Sequence, residues 1–231
     1  MHSQDEKVDW VGGMSIKIFG FCVLFGLSTN PAIAQQHISV IGDSLSHPIG
    51  IQLQRLHPSV VVHRTSLGGT GLVYEYQTWL HQTQTALSSN HPAITYIVLG
   101  TNDTNGISVS VPFGSPQWDS AYASRVSAII LIALRYSNRV VWVGAPPMRN
   151  QNFSVRVQHL NSVVQQTIQS QNNSNIGFFS CFALFGGTFS EFSTSNERIR
   201  ETDGIHLTHL GARIIAANIF RCDNSSDILC L

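Results

Sequence analysis

Short apolar runs alternate with longer mixed stretches from about residue 37 to residue 220. Runs rich in Val, Ile and Phe that end in Gly or polar residues predict buried strands. Stretches in which apolar residues recur at helical spacing predict amphipathic helices. The predicted strands cover residues 38–41, 60–62, 94–99, 140–143 and 176–182, and the predicted helices cover about 49–56, 72–87, 121–136, 155–169 and 208–220.

Strands that alternate with helices in this way form parallel sheets, because each strand reaches the next through a crossover helix. We therefore predict an α/β fold with a parallel sheet of about five strands and helices on both faces. Residues 104–119 interrupt the alternation, since they contain Gly106, Pro112, Gly114 and Pro116 and show no period. A long irregular segment inside a compact domain predicts a functional loop rather than a linker.

The composition is typical of a globular domain. The chain has 231 residues, of which 43% are hydrophobic and 11% charged, so it can bury a sizeable core. Thirteen Lys and Arg residues balance thirteen Asp and Glu residues without a basic block. This argues against nucleic acid or an anionic membrane surface as the main partner. No Cys and His spacing typical of zinc occurs, and we predict neither a metal nor a cofactor.

The N-terminus has the order of regions found in a secretory signal. Lys17 precedes an apolar run from Ile18 to Leu27, and the triplet Ala32-Ile33-Ala34 follows. This pattern predicts a signal peptide over residues 1–34, cleavage after Ala34 and a single mature domain over residues 35–231. The mature protein would be secreted or periplasmic, without stable membrane insertion. The alternative is an uncleaved anchor, although the apolar run is short for a membrane span.

Three cysteines remain after the predicted cleavage. Cys222 and Cys230 enclose a short C-terminal loop and are candidates for a disulfide in an oxidising compartment. Cys181 lies in an apolar run, which predicts a buried and inert thiol.

Four predicted turns carry residues suited to ester chemistry. They are Gly42-Asp43-Ser44-Leu45, Ser66-Leu67-Gly68-Gly69-Thr70-Gly71, Gly100-Thr101-Asn102-Asp103 and Asp203-Gly204-Ile205-His206. The first three follow predicted strands, and the fourth precedes the last predicted helix. Ligands of open α/β sheets bind at the carboxyl edge of the strands. Acyl transfer by serine needs a nucleophile, a base, a group that orients the base and donors to the oxyanion, and these turns offer all four.

Each of these residues also has a structural interpretation when it is taken alone. Asn102 is typical of a turn, and Gly69 of a position with positive φ. Asp203 and His206 are compatible with a helix N-cap pair, while His206 and His209 lack a third nearby metal ligand. The joint occurrence of the four turns in this order favours the catalytic interpretation.

The same four turns resemble the four sequence blocks of the SGNH (GDSL) hydrolase family, over about residues 37–220. The family comprises esterases, lipases, thioesterases and carbohydrate deacetylases with a flavodoxin-like, three-layer α/β/α fold. The resemblance implies that Ser44 is the nucleophile, that His206 is the general base and that Asp203 orients and stabilises the imidazole.

The resemblance also implies an oxyanion hole. Its donors would be the backbone N–H of Ser44, the backbone N–H of Gly69 and the side-chain amide of Asn102. The second block departs from the family's usual spacing, so Gly68 is an alternative to Gly69. Asp43, next to the nucleophile, is expected to brace the turn rather than to take part in chemistry.

The resulting hypothesis is an exported, cofactor-independent serine esterase. The expected substrate is a small-molecule or glycan ester, with short acyl chains and O-acetylated carbohydrate favoured. A lipase or thioesterase with longer acyl specificity and a non-catalytic binding protein of the same fold are the alternatives. Trp79 and Trp118 are candidates to line a substrate pocket, and core or lid packing is the other interpretation.

Overall fold

A computed structural model describes residues 35–222 of the chain. The strands are β1 (His37–Gly42), β2 (Val61–Ser66), β3 (Ile94–Val98), β4 (Arg139–Gly144) and β5 (Ile176–Ser180). The helices are α1 (Ser46–Leu56), α2 (Tyr76–Asn90), α3 (Pro116–Leu134), α4 (Gln151–Ser170), α5 (Cys181–Leu184) and α6 (His209–Cys222). The predicted signal peptide lies outside the described residues, and so does Cys230, the candidate disulfide partner of Cys222.

The five strands form one sheet in the order β2-β1-β3-β4-β5, and every neighbouring pair is parallel. The predicted parallel sheet of about five strands is therefore confirmed. The chain adds β2 on one side of β1 and then returns to place β3 on the other side. This reversal is the point at which doubly wound sheets bind ligands, just beyond the carboxyl ends of the strands.

The sheet is buried on both faces, which explains why its strands are nearly continuous apolar runs. Neighbouring residues of β3 alternate between the two cores. Ile97 packs with α3 and α4 residues such as Val126 and Leu160 on one face, whereas Tyr96 packs with the α6 residue Ile215 on the other. All five side chains are almost completely buried.

Several boundaries differ from the sequence prediction because side chains cap helices there. Helix α3 begins at Pro116, inside the predicted loop, because the Ser115 hydroxyl accepts a hydrogen bond from the Trp118 amide. The predicted strand over residues 176–182 was too long. It ends at Ser180, whose hydroxyl caps the short helix α5, so Cys181 and Phe182 are helical. Cys181 is fully buried, as predicted.

None of the helices within residues 35–222 is long and apolar enough to span a bilayer.

Candidate active site

The register of the sheet brings the first three turns to one edge. Gly42, at the end of β1, is paired with Ser66 of β2 and with Val98 of β3. The three strands therefore end side by side, and the segments that follow them start from the same edge. The Leu67 amide donates to the Gly42 carbonyl at 2.9 Å, which joins the second turn to the end of β1.

Ser44 lies in the tight connection between β1 and α1. The connection begins with Gly42, where a Cβ atom would collide with the carbonyl of Val98. Only glycine permits this close approach of two backbones. The Asp43 amide donates to the same Val98 carbonyl at 2.9 Å, and Ser44 follows partly exposed, just before the N-terminus of α1.

Ser44, His206 and Asp203 form a continuous chain of hydrogen bonds. The distance from His206 Nδ1 to Asp203 Oδ2 is 2.6 Å, and that from His206 Nε2 to Ser44 Oγ is 3.0 Å. An ionised carboxylate only accepts hydrogen bonds, so Nδ1 donates to Asp203. In the neutral imidazole Nε2 is then the acceptor for the Ser44 hydroxyl. This is the geometry that a serine nucleophile and its base require.

The turn over residues 203–206 holds the Asp203 carboxylate in place. Its Oδ1 atom accepts from the amides of Ile205 and His206 at 2.8 and 2.9 Å. Burial acts to raise the pKa of Asp203, but the hydrogen bonds from the His206 ring and from these two amides outweigh it and lower the pKa to about 2. Asp203 is therefore ionised at neutral pH, and its negative charge lies next to the His206 ring.

The proposed oxyanion donors converge from the second and third turns. The Asn102 amide nitrogen donates to the Thr70 carbonyl at 2.9 Å, which places Asn102 beside the glycine loop. An amide group carries two donor hydrogens, so this bond leaves the second one available.

The two glycines of the loop differ in their surroundings. Gly69 has φ +73°, and a Cβ atom there would meet nothing within 4 Å. A Cβ atom at Gly68 would lie 3.8 Å from Ser44 Cβ. Gly68 thus lies next to Ser44, whereas Gly69 supplies the left-handed turn, with open space where a Cβ atom would be.

Asp43 is fully buried and braces the turn that carries Ser44. Its carboxylate accepts from the Leu45 amide at 2.9 Å and from the Thr101 amide at 3.3 Å, so it joins the first turn to the third. Burial raises the pKa of Asp43 to about 7, although the two amides oppose the shift, and the nearby Asp103 carboxylate adds to it. This bracing role matches the sequence expectation.

Asp103 is a second buried carboxylate behind the site, and the sequence predicted no role for it. It accepts from the Val73 amide at 2.7 Å and from the Tyr122 hydroxyl at 2.8 Å. A Cβ atom at Gly71 would collide with it. Burial raises the pKa of Asp103 above its ordinary value. Asp103 therefore fixes the position of the glycine loop relative to Asn102, and its place in the third motif was the available signal.

The two tryptophans considered for a substrate pocket belong to the core instead. Trp79 and Trp118 are both fully buried. Trp79 Nε1 donates to the Thr70 hydroxyl at 3.2 Å, and Trp118 Nε1 donates to the Asn105 carbonyl at 2.8 Å. Their ring nitrogens thus hold the second turn and the long loop from the side of the core.

The candidate site is open to solvent. The side chains of His206 and Asp203 are 44% and 46% exposed. Within the part of the chain that the structure describes, no three His, Cys, Asp or Glu side chains are grouped so as to hold a metal ion.

The fold is shared with several solved bacterial proteins. A lipase/acylhydrolase from Enterococcus faecalis superposes with a TM-score of 0.59 at 16% identity, over 80% of this chain and 94% of that chain. A GDSL-like lipase from Bacteroides thetaiotaomicron gives 0.59 at 13% identity, over 82% and 88%. An acetylxylan esterase from Geobacillus stearothermophilus, solved as a catalytic mutant, gives 0.57 at 14% identity, over 80% and 93%.

These similarities define the class: the chain has the fold of the SGNH (GDSL) hydrolases, as the four motifs implied. Residues 37–222 match the family described as "Protein of unknown function (DUF459)", and the chain belongs to that family. No curated protein sequence matches the chain.

Proposed function

We propose that this protein is a serine ester hydrolase that acts through an acyl-enzyme on short-chain esters, with O-acetylated carbohydrate as the leading substrate class. The observation that carries the proposal is the unbroken path from Ser44 Oγ through His206 to Asp203, with distances of 3.0 and 2.6 Å.

In the first half-reaction Ser44 Oγ attacks the ester carbonyl while its proton moves to His206 Nε2. The carbonyl oxygen becomes an oxyanion, which accepts hydrogen bonds from the Ser44 amide, the glycine loop and Asn102. The imidazolium is stabilised by Asp203 and then protonates the departing alkoxide. The products are an alcohol and an acyl ester of Ser44.

In the second half-reaction a water molecule attacks the acyl-enzyme. His206 takes a proton from the water at Nε2, and the same donors bind the second oxyanion. The intermediate collapses, the acyl group departs as a carboxylic acid, and Ser44 Oγ regains its proton from His206. The open site, with two half-exposed side chains of the triad, is suited to an ester carried on a larger molecule such as a glycan.

The test is hydrolysis of a nitrophenyl ester series from acetate to decanoate by the wild type, by Ser44→Ala and by Ser46→Ala. We expect the wild type to prefer acetate and Ser44→Ala to lose about 10⁶-fold in kcat. Ser46 is the matched control, because its buried hydroxyl contacts the Asp43 carbonyl and Ser66 rather than His206. Ser46→Ala should keep most of the activity.

Each outcome separates the candidate functions. A preference for long chains would favour the lipase or thioesterase alternative. A folded wild type that is inactive on every ester, and whose Ser44 resists a fluorophosphonate, would contradict the proposal and favour a binding protein. If acetate is preferred, acetylated xylan and other acetylated glycans are the next substrates to assay.

A further inference from the structure

Arg200 is a buried cation directly behind the turn that carries Asp203 and His206. The residue is only 2% exposed. Among residues 35–222 the guanidinium has no carboxylate within ion-pair distance. Burial lowers the pKa of Arg200 to about 10, which leaves the group charged at neutral pH. Burial of a charge without an ion-pair partner is costly, so its other contacts need an explanation.

Besides Met148 Sδ at 3.4 Å and the Phe189 ring at 5.3 Å, the guanidinium contacts backbone carbonyls from two segments of the site. Nη1 donates to the Pro147 carbonyl at 2.8 Å, in the segment after β4. Nη2 donates to the Ile205 carbonyl at 2.7 Å and is 3.4 Å from the Gly204 carbonyl. The planar guanidinium thus joins the end of β4 to the turn before α6.

The two peptide units that Arg200 contacts in this turn are those that bind Asp203. The Gly204 carbonyl and the Ile205 amide belong to one peptide unit, and that amide donates to Asp203 Oδ1 at 2.8 Å. The Ile205 carbonyl and the His206 amide belong to the next, and that amide donates to the same oxygen at 2.9 Å. Each peptide unit therefore lies between the cation and the carboxylate.

Hydrogen bonds arranged in such chains polarise one another, because each carbonyl that accepts from a cation makes its amide a stronger donor. Two parallel chains of this kind orient the turn and hold the carboxylate opposite His206 Nδ1. Arg149 also binds the turn, because its amide donates to the Gly204 carbonyl at 3.1 Å and its Nη1 to the Thr202 carbonyl at 2.5 Å. Its side chain, however, is 43% exposed and otherwise contacts Glu191 and the Phe189 ring.

We propose that Arg200 is a positioning residue for the proposed hydrolysis: its guanidinium fork binds the peptide units of residues 204–206 and thereby aligns the Asp203–His206 pair with Ser44. This inference rests on the proposed function for its kinetic consequences. Its structural consequence, the hydrogen bond between His206 and Asp203, can be measured without a substrate.

The experiment compares Arg200→Met, Arg200→Lys and the control Arg198→Met in the full-length protein. Arg198 is close in sequence, and its side chain contacts Glu191 and the Phe192 ring rather than the turn. For each variant kcat/KM is measured with nitrophenyl acetate, whose leaving group needs no proton, and with ethyl acetate, whose leaving group does. The downfield proton resonance of His206 Nδ1–H is recorded in parallel.

We expect Arg200→Met to lose about 10²-fold on ethyl acetate, because misplacement of His206 weakens its delivery of the proton. The loss on nitrophenyl acetate should be about tenfold smaller. Arg200→Lys should lie between wild type and Arg200→Met, because an ammonium lacks the planar fork. Arg198→Met should match the wild type. A lower folded fraction would reduce both rates equally and leave their ratio unchanged.

The proposal is overturned if folded Arg200→Met keeps the wild-type ratio and the Nδ1–H resonance. If Arg200→Met does not fold, the proposal is overturned when Arg200→Lys keeps the wild-type rate ratio and the Nδ1–H resonance. It is also overturned if neither variant folds, because Arg200 would then be needed for the stability of the whole fold. If the wild type hydrolyses neither ester, the proposed function fails, while loss of the resonance in the Arg200 variants would still support the positioning role.

Discussion

Asp43→Asn should change how the stability of the protein depends on pH. The carboxyl of Asp43 is fully buried, and its pKa is raised from 3.8 to about 7. In the unfolded chain it titrates near its ordinary value. The folded state therefore holds this proton more tightly than the unfolded state does. The contribution of this group to the free energy of unfolding is fully present below its pKa in the unfolded chain. That contribution is lost as the pH rises toward 7.

The size of the effect follows from the two pKa values. Each unit of difference corresponds to about 1.4 kcal/mol. The interval from 3.8 to about 7 therefore gives a loss of about 4 kcal/mol between acidic and mildly alkaline pH. An asparagine at this position is neutral at every pH and removes the loss. Its side chain would present one acceptor oxygen to two amide donors, so the variant should be less stable than the wild type in acid.

The assay is urea unfolding followed by tryptophan fluorescence, at several values between about pH 4 and pH 8. The free energy of unfolding of Asp43→Asn, relative to the wild type, should rise by up to about 4 kcal/mol over this range. Glu201→Gln is the control, because Glu201 is an exposed carboxylate on the same protein. Its curve should stay parallel to that of the wild type.

Parallel curves for Asp43→Asn and the wild type would refute the reasoning, since they would mean that Asp43 titrates alike in the folded and unfolded states. Some pH dependence will remain in the variant, because burial also raises the pKa of Asp103. Only the difference between the two curves is diagnostic for Asp43.

Three further predictions concern the oxyanion side of the site. Asn102→Ala should lower kcat for nitrophenyl acetate by about 10²–10³-fold with little change in KM, because the Asn102 amide would bind the developing oxyanion. A change in KM alone would contradict this prediction. Gly71→Ala should lower the unfolding free energy by about 1–3 kcal/mol, because the new methyl group would overlap the Asp103 carboxylate. Gly69→Ala should lower the unfolding free energy by only about 1 kcal/mol in thermal unfolding, because Gly69 has φ +73° but open space where the methyl group would lie. A larger loss of unfolding free energy in Gly69→Ala than in Gly71→Ala would contradict the steric argument.

The fold was largely predictable because a parallel sheet that is buried on both faces has a recognisable hydrophobic pattern in the sequence. Its strands are short apolar runs, and the helices between them force the parallel arrangement. Two of the boundary errors occurred where a single hydroxyl ends or begins an element. Ser115 starts α3 inside the predicted loop, and Ser180 ends β5 before the apolar run stops. Such caps depend on local geometry that hydrophobic spacing does not encode.

The candidate site was predictable in part. Ser44, Asn102, Asp203 and His206 stand in short motifs, so residue type and order along the chain were sufficient to propose their roles. Arg200 was not found, because its partner Pro147 is 53 positions away in the sequence and the contact is to a backbone carbonyl.

Asp103 was missed for a related reason. It stands in the third motif, but its bonds to the Val73 amide and the Tyr122 hydroxyl span 30 and 19 positions, and motif order does not show such contacts.

The sequence by itself determined the class of fold, the edge of the sheet where the four turns meet and the chemical groups they carry. It did so because the succession of strands and helices along the chain and the local turn chemistry are encoded in contiguous residues. Only the tertiary structure decided that Trp79 and Trp118 are core residues and that Gly68 is the neighbour of Ser44. The same holds for the buried charges behind the site. These features depend on distances between segments remote in sequence, which packing sets when the chain folds.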